Sequence, residues 1–228
     1  MNKELSIIVP MYNVECTIEK CIQSILGQTY SNFELLLVND GSKDRTLQIC
    51  ETYAKKDNRI RILSQENKGL IAARKLGVDE ATTSVIGFVD SDDWIEEDMY
   101  AELMKIYKET GCKLVSSGIY RDYPKDGYTQ ADCDHFDEGL YQTLPAEIYP
   151  TMLWASKWSD FGLYCTLVNK LFQREIACDS SVFKVDNAVC NIREVIQPML
   201  GNDHGLALRL DKPQMLPQLA DCRHIQIG

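Results

Sequence analysis

The chain reads as an α/β protein built on a mostly parallel central sheet. Two observations predict this. Short apolar, β-branched runs alternate with stretches of helical periodicity through the first half, and a polar cluster follows most of those runs. Strands of a parallel sheet are covered on both faces, so they read as near-continuous apolar runs. Leu5-Ser-Ile-Ile-Val9, Phe33-Glu-Leu-Leu-Leu-Val38 and Ser84-Val-Ile-Gly-Phe-Val89 all have that form.

The elements follow in order. Leu5 to Val9 predicts the first strand, ending at Pro10, with Met11, Tyr12 and Asn13 as the loop after it. Ile18, Cys21, Ile22, Ile25 and Leu26 recur at helical spacing and predict a helix that stops at Gly27. Phe33 to Val38 is the second strand, residues 39–42 a turn, and Leu47, Ile49, Cys50 and Tyr53 mark the second helix. Arg59 to Leu63 predicts a third strand. After the loop at residues 65–69, Ile71, Ala72, Leu76 and Val78 predict a third helix leading to the strand Ser84 to Val89.

From Glu96 to Thr110 acidic residues come first, and Met99, Leu103, Ile106 and Tyr107 then share one face, a well-signalled helix closed by Gly111. Lys113 to Tyr120 predicts a further strand. Arg121 to Gly139 is polar, rich in Asp and Gly and without periodicity, which sets a boundary near residue 121. Beyond it, helices are expected around Trp154 and Trp158 and again from Leu167 to Phe172, and the tail from about Ile196 is weakly patterned.

Composition excludes several classes of function. At 228 residues, 45% hydrophobic and 25% charged, the chain is an ordinary globular protein large enough to bury a sizeable core. A net charge of −10 argues against a nucleic-acid partner, because phosphate backbones are bound mainly by clustered Lys and Arg. Nine cysteines include no CxxC pair, and three scattered histidines make no zinc motif, so reduced and mostly buried thiols are expected. No segment approaches the ~20 apolar residues of a membrane span, and the N-terminus lacks a signal-peptide core. The expected location is cytoplasmic, with loose attachment at the inner face of a membrane left open.

In open parallel sheets ligands lie beyond the carboxyl ends of the strands. Three polar clusters fall there: Tyr12-Asn13, Asp40-Gly41-Ser42 and Asp90-Ser91-Asp92-Asp93. In extended backbone Asp90 and Asp92 project on one side, as two ligands of a hard cation would. Mg²⁺ or Mn²⁺ keeps one or two protein carboxylates and completes its shell with phosphate oxygens and water, which would let an acidic protein hold a diphosphate. The plainer reading of residues 90–93 is a solvated turn and helix cap. Asp40 is either a turn residue, with Ser42 or Asp44 capping the next helix, or an acceptor for the imide N–H of uracil. Tyr12 either offers an aromatic face to that base or simply packs. Arg74 either serves a phosphate or pairs at the surface with Asp79 or Glu80.

Four segments together, Ser6-Ile-Ile-Val-Pro-Met-Tyr-Asn13, Val38-Asn-Asp-Gly-Ser42, Gln65-Glu-Asn-Lys-Gly69 and Phe88-Val-Asp-Ser-Asp-Asp-Trp94, resemble family 2 glycosyltransferases in order and spacing. The resemblance implies a GT-A, Rossmann-like three-layer sandwich with an irregular helical C-terminal part. It implies a nucleotide-sugar-binding half over residues 1–120 and an acceptor-side half over 121–228. The implied activity is inverting, metal-dependent transfer, of the hexosyltransferase type, from a nucleotide-diphosphate sugar, expected to be a UDP-sugar. The implied acceptor is a hydroxyl of a surface polysaccharide or lipid-linked glycan. By position, Pro10, Tyr12 and Asp40 match residues that bind the base, Arg74 one near base or phosphates, and Asp90 and Ser91 the donor. Asp92, with Asp90, matches the holder of Mn²⁺ or Mg²⁺.

The resemblance weakens in the second half. Val168-Asn-Lys-Leu-Phe172 resembles an asparagine-lysine-leucine segment of the family, and Val185-Asp186 the approach to its glycine-glutamate-aspartate motif, which supplies the catalytic base. There the chain has Ile192-Arg193-Glu194, leaving Glu194 as the nearest carboxylate. Asp203, in Gly201-Asn-Asp-His204, is the alternative but falls about nine residues late. Glu reaches one methylene further than Asp, a misplacement that proton transfer tolerates poorly. The tail also stops short of the helices many relatives carry, so a truncated or frame-shifted product is one expectation, with sugar-nucleotide binding intact and transfer weak or absent.

Two rivals remain. A nucleotidyltransferase also uses metal-bound carboxylates, but would carry a basic, glycine-rich loop after the first strand, whereas residues 10–15 hold neither Gly, Lys nor Arg. A non-catalytic subunit that keeps a nucleotide-sugar site fits the altered base motif. A NAD enzyme is least favoured, since no GxGxxG follows the first strand.

Overall fold

A computed structural model of the chain describes residues 3–123, 128–132, 139–141, 168, 170–177, 206–208 and 225–227. The first half alternates strand and helix: β1 (Leu5–Met11), α1 (Ile18–Leu26), β2 (Phe33–Asn39), α2 (Thr46–Ala54), β3 (Ile60–Ser64), α3 (Leu70–Glu80) and β4 (Val85–Phe88). A short β5 (Trp94–Ile95) precedes α4 (Met99–Thr110) and β6 (Leu114–Ser116). The remaining described elements are β7 (Ile119–Tyr123), β8 (Tyr128–Asp132), β9 (Gly139–Tyr141), β10 (Lys170–Gln173), α5 (Arg174–Ala177), β11 (Leu206–Leu208) and β12 (Ile225–Ile227).

The main sheet has the order β3-β2-β1-β4-β10-β6-β11-β9, and a second sheet the order β5-β12-β7-β8. β1 runs parallel to β2 from Leu5 opposite Phe33 to Met11 opposite Asn39, and parallel to β4 from Ser6 opposite Ile86 to Ile8 opposite Phe88. The first two crossovers move outward from β1 to β3, and α3 then returns the chain to β4 on the other side of β1. That reversal opens a crevice at the carboxyl ends of β1 and β4, where ligands of such sheets bind.

The pleat of β1 explains the layers. Its odd residues Leu5, Ile7, Val9 and Met11 join one core cluster with Ile18, Ile22 and Ile25 of α1, Cys50 of α2 and Tyr100 of α4. Ile8 faces the other way, and α3 packs so closely there that a Cβ on Gly77 would lie 2.4 Å from Ile8 Cγ2. Helices therefore cover both faces, and β1 and β2 are buried along their whole length. Burying each such Ile or Leu side chain contributes about 1.5–3 kcal/mol.

One charged side chain interrupts the apolar run of β2. Glu34, 1% exposed, accepts hydrogen bonds at Oε1 from Ser6 Oγ and from the N–H and hydroxyl of Thr82, each 2.7 Å, and at Oε2 from Arg61 at 3.2 Å. Burial alone would raise its carboxyl, but these donors outweigh it and hold the group below its ordinary range. The network ties the amino edge of the sheet to the turn before β4.

Two sequence expectations change. Lys113 to Tyr120 is not one strand: β6 and β7 belong to different sheets, and the chain leaves one for the other at Ser117-Gly118. The helix expected from Leu167 to Phe172 gives way to a strand over its described end, since Lys170–Gln173 forms β10, antiparallel to both β4 and β6. Tertiary pairing overrides local periodicity there, and Phe172 meets Phe88 edge to face at 6.0 Å between ring centres. The helices expected around Trp154 and Trp158 lie outside the described residues. No helix among the described residues is long and apolar enough to cross a membrane.

Candidate functional site

Four loops meet at the carboxyl edge. Pro10 lies buried within β1, opposite Val38. Ile8 accepts the N–H of Val89 at 3.1 Å, so by the two-residue period Pro10 also faces the β4 side. β4 has already left the ladder there, so the missing proline N–H costs no pairing and the two strands part. Tyr12 follows, 44% exposed.

The loops after β1 and β2 are interlocked. Asn13 adopts a left-handed conformation, φ 53°, which Asn tolerates better than most residues. Its N–H donates to Ser42 Oγ at 3.1 Å, and its Oδ1 accepts the N–H of Lys43 at 2.8 Å. The N–H groups of Val14 and Glu15 donate to Thr46 Oγ1 at 2.8 Å and Asp44 Oδ2 at 3.1 Å, and Arg45 N–H returns to Glu15 at 2.9 Å. Asp44 also accepts the N–H of Thr46, the first residue of α2, at 3.0 Å. Burial would raise the Asp44 carboxyl, but the donors from Thr46 and Glu15 outweigh it and keep it low. The N-cap position of α2 is held by Arg45 without a side-chain cap, so Asp44, one residue further out, satisfies the first helical N–H and anchors the neighbouring loop.

Asp40, 3% exposed, sits just past β2. Its Oδ1 accepts from Gln65 Nε2 at 2.6 Å and Lys68 N–H at 2.9 Å, and its Oδ2 from Gly69 N–H at 2.8 Å. Gly41 beside it has φ 77°, and a Cβ there would lie 2.9 Å from the Asn67 nitrogen, so only glycine fits between the loops.

Beyond β4, residues 90–93 follow the plainer of the two sequence readings, a turn, and not the extended pair. They form a turn in which Asp93 N–H donates to the Asp90 carbonyl at 3.1 Å, so alternation along a strand does not apply. Thr17 Oγ1 donates to the Ser91 carbonyl at 3.1 Å, tying the turn to the entry of α1. Ser91 is 8% exposed, and Asp92 points to solvent. Arg74 is not a surface partner of Asp79 or Glu80. It is 2% exposed, its Nη2 donates to Asp90 Oδ1 at 2.6 Å, and its guanidinium lies 5.9 Å from the Phe88 ring centre. The placement of Arg74 by α3 under the β4 end is invisible in a linear reading.

The structure therefore gathers Pro10, Tyr12, Asp40, Arg74, Asp90, Ser91 and Asp92 along one edge. Glu194 and Asp203 lie outside the described residues. Asn13, Asp44 and Gln65, which the sequence offered only as loop, cap and motif residues, also build the site by tying its loops together. The signal for the first two was a cluster of Asn, Asp, Ser and Thr on two successive strand ends, residue types that hydrogen-bond backbone N–H groups. Asp90 and Asp92 offer a cation two hard oxygen donors, suited to Mg²⁺ or Mn²⁺. Among the described residues no group of three or more His, Cys, Asp and Glu is placed to hold a metal by itself.

Glycosyl transferase family 2 matches this chain over residues 6–170. The uncharacterized glycosyltransferase EpsJ of Bacillus subtilis is 48% identical over 117 residues, 51% of this chain and 34% of that protein. The chain thus spans about a third of that relative's length. Among solved structures, S. aureus TarS 1-349 in complex with UDP superposes with a TM-score of 0.71 at 21% identity, covering 99% of this chain and 61% of that one. Mannosyltransferase PcManGT of Pyrobaculum calidifontis, in complex with GDP-Man and Mn²⁺, gives 0.63 at 18%, covering 92% and 56%. Both show the fold, which is of the GT-A type. On the match through β1, β2, β4 and into β10, the chain belongs to glycosyl transferase family 2.

Proposed function

We propose that this chain carries the donor site of a hexosyltransferase that moves a sugar from a nucleotide diphosphate, a UDP-sugar, to an acceptor hydroxyl with inversion. The observation that carries the reading is the polarity of the edge. A base-sized aromatic, Tyr12, and a buried acceptor, Asp40, stand at the ends of β1 and β2, and the Arg74–Asp90 pair with exposed Asp92 stands at the end of β4. Tyr12 stacks on the base. Asp40 has about four acceptor positions and uses three, leaving one for an imide N–H. Arg74 holds Asp90 in place from within the protein.

Asp90 and Asp92 would hold Mn²⁺ or Mg²⁺ jointly with the diphosphate. Bound there, the cation would neutralise charge developing on the leaving diphosphate. A carboxylate from the second half, Glu194 or Asp203, deprotonates the acceptor hydroxyl for attack on the opposite face of the anomeric carbon. The acceptor, a surface polysaccharide or lipid-linked glycan, rests on family membership alone. Work in the cytoplasm, at the inner face of a membrane, rests on family membership alone. TarS supports UDP and PcManGT supports Mn²⁺, while the GDP-Man of the latter keeps guanine as the base to be tested against.

A second reading has one observation in its favour. Ile192-Arg193-Glu194 replaces the glycine-glutamate-aspartate motif, which suits a subunit that binds the donor without efficient transfer.

Calorimetric titration with UDP, GDP and TDP, each with and without Mn²⁺, tests the donor site. The expected result is UDP binding that requires Mn²⁺ and weakens about 100-fold, or ~2.7 kcal/mol, in Asp92→Ala. Absence of metal-dependent binding to any of the three would overturn the donor site. Robust sugar transfer by the 228-residue chain would overturn the binding-subunit reading.

A further inference from the structure

We propose that Asp40 is a positioning residue for the phosphate end of the site, acting through α3, besides any contact with a base. The proposal rests on the donor-site reading above. α3 begins after Gly69, which has no side chain to cap a helix and lies at φ 88°. Asp40, arriving from the end of β2, takes over the entry by accepting the N–H groups of Lys68 and Gly69 and the amide of Gln65. A carboxylate at that end also complements the positive pole of the helix.

Arg74 is the fifth residue of α3, little more than one turn from this anchor. Gly77, pressed on Ile8, is the second point where the helix is held. Arg74 lies between the two. Its 2.6 Å contact with Asp90 therefore depends on both, since a helix released at its entry pivots about the Gly77 contact and carries the guanidinium away. Asp40 and Asp90, at the ends of different strands, are thus joined through one helix.

Inorganic pyrophosphate with Mn²⁺ tests this, because it occupies a phosphate site and has no base. If Asp40 served a base alone, Asp40→Asn would weaken UDP binding and leave pyrophosphate binding at the wild-type level. Positioning predicts that Asp40→Asn weakens pyrophosphate binding about tenfold, within the range of mutations that act through packed elements. It also predicts faster amide hydrogen exchange confined to residues 66–74. Gln65→Ala removes one of the three donors and keeps the carboxylate, and should weaken pyrophosphate binding about threefold. If Asp40→Asn fails to fold, Gln65→Ala decides. Pyrophosphate affinity within about twofold of wild type in the deciding variant overturns the proposal. Wild-type protein that binds neither UDP nor pyrophosphate with Mn²⁺ instead removes the donor site itself, and this proposal with it.

Discussion

β2 carries a buried carboxylate near its start and another just past its end, and the two are satisfied in different ways. Glu34 at the amino edge takes four donors from three parts of the chain, one of them the guanidinium of Arg61. Asp40 at the carboxyl edge takes three, all from one loop and all uncharged. The first arrangement is closed, with a guanidinium among its donors and the turn before β4 locked. The second keeps an acceptor position and its negative charge, alongside Asp90 and Asp92. A carboxylate saturated by its own chain contributes stability, and one left partly open is available to a ligand.

If that contrast holds, damage at the amino edge should cost stability and leave donor binding alone. Glu34→Ala takes the shared acceptor from the Thr82 N–H and hydroxyl and leaves Ser6 with Thr83 and Arg61 with Glu80 as remaining partners. The expected loss is about 3 kcal/mol in urea unfolding, with UDP affinity of the folded protein unchanged. A parallel loss of UDP affinity would break the comparison.

Gly77→Ala lies between the edges and should affect both. Its methyl would overlap Ile8, and the net destabilisation expected is about 2 kcal/mol after the small gain in helix propensity. Because α3 also bears Arg74, pyrophosphate binding should fall with it. Tyr12→Ala is the converse case. Its side chain is exposed, so thermal stability should stay the same while UDP binding weakens by about 1 kcal/mol, roughly fivefold, as lost base stacking does.

Acid should reveal the smallest difference. The folded Glu34 carboxyl lies below its ordinary value of 4.5, so as pH falls the unfolded chain takes up the proton first. The stabilisation is complete above that value and drains away as pH drops below it toward the folded value. Stability plotted against pH below about 4.5 should therefore be less steep in Glu34→Gln than in wild type. Equal slopes would mean that the amino-edge network is not charge-dependent.

Much of the parallel half was legible because its signals are local. Apolar runs set β1, β2 and β4, and spacing of Ile18, Cys21, Ile22 and Ile25 set α1 to within its ends. The strand ends, and hence the polar clusters on them, followed directly. For residues 90–93 the sequence leaves an extended pair of carboxylates and a turn both open, because the contacts that fasten the turn, from Thr17 and Arg74, are remote in sequence. β10 differs from the expected helix because a run as short as Lys170-Leu-Phe-Gln173 suits a helix or a strand equally, and the open edge of β4 decided it.

By itself the sequence determined which segments are strands and helices in the first half and which polar residues stand at their ends, since periodicity and turn chemistry act over a few residues. The tertiary structure alone decided that Arg74 is buried against Asp90, that Asp40 fastens α3, and that Glu34 is sealed by Ser6, Thr82 and Arg61. Those pairs are separated by 16 to 48 residues: the pairing of β1 and β3 with β2 brings Ser6 and Arg61 to Glu34, and the crossing of α3 from β3 to β4 brings the others within hydrogen-bonding reach.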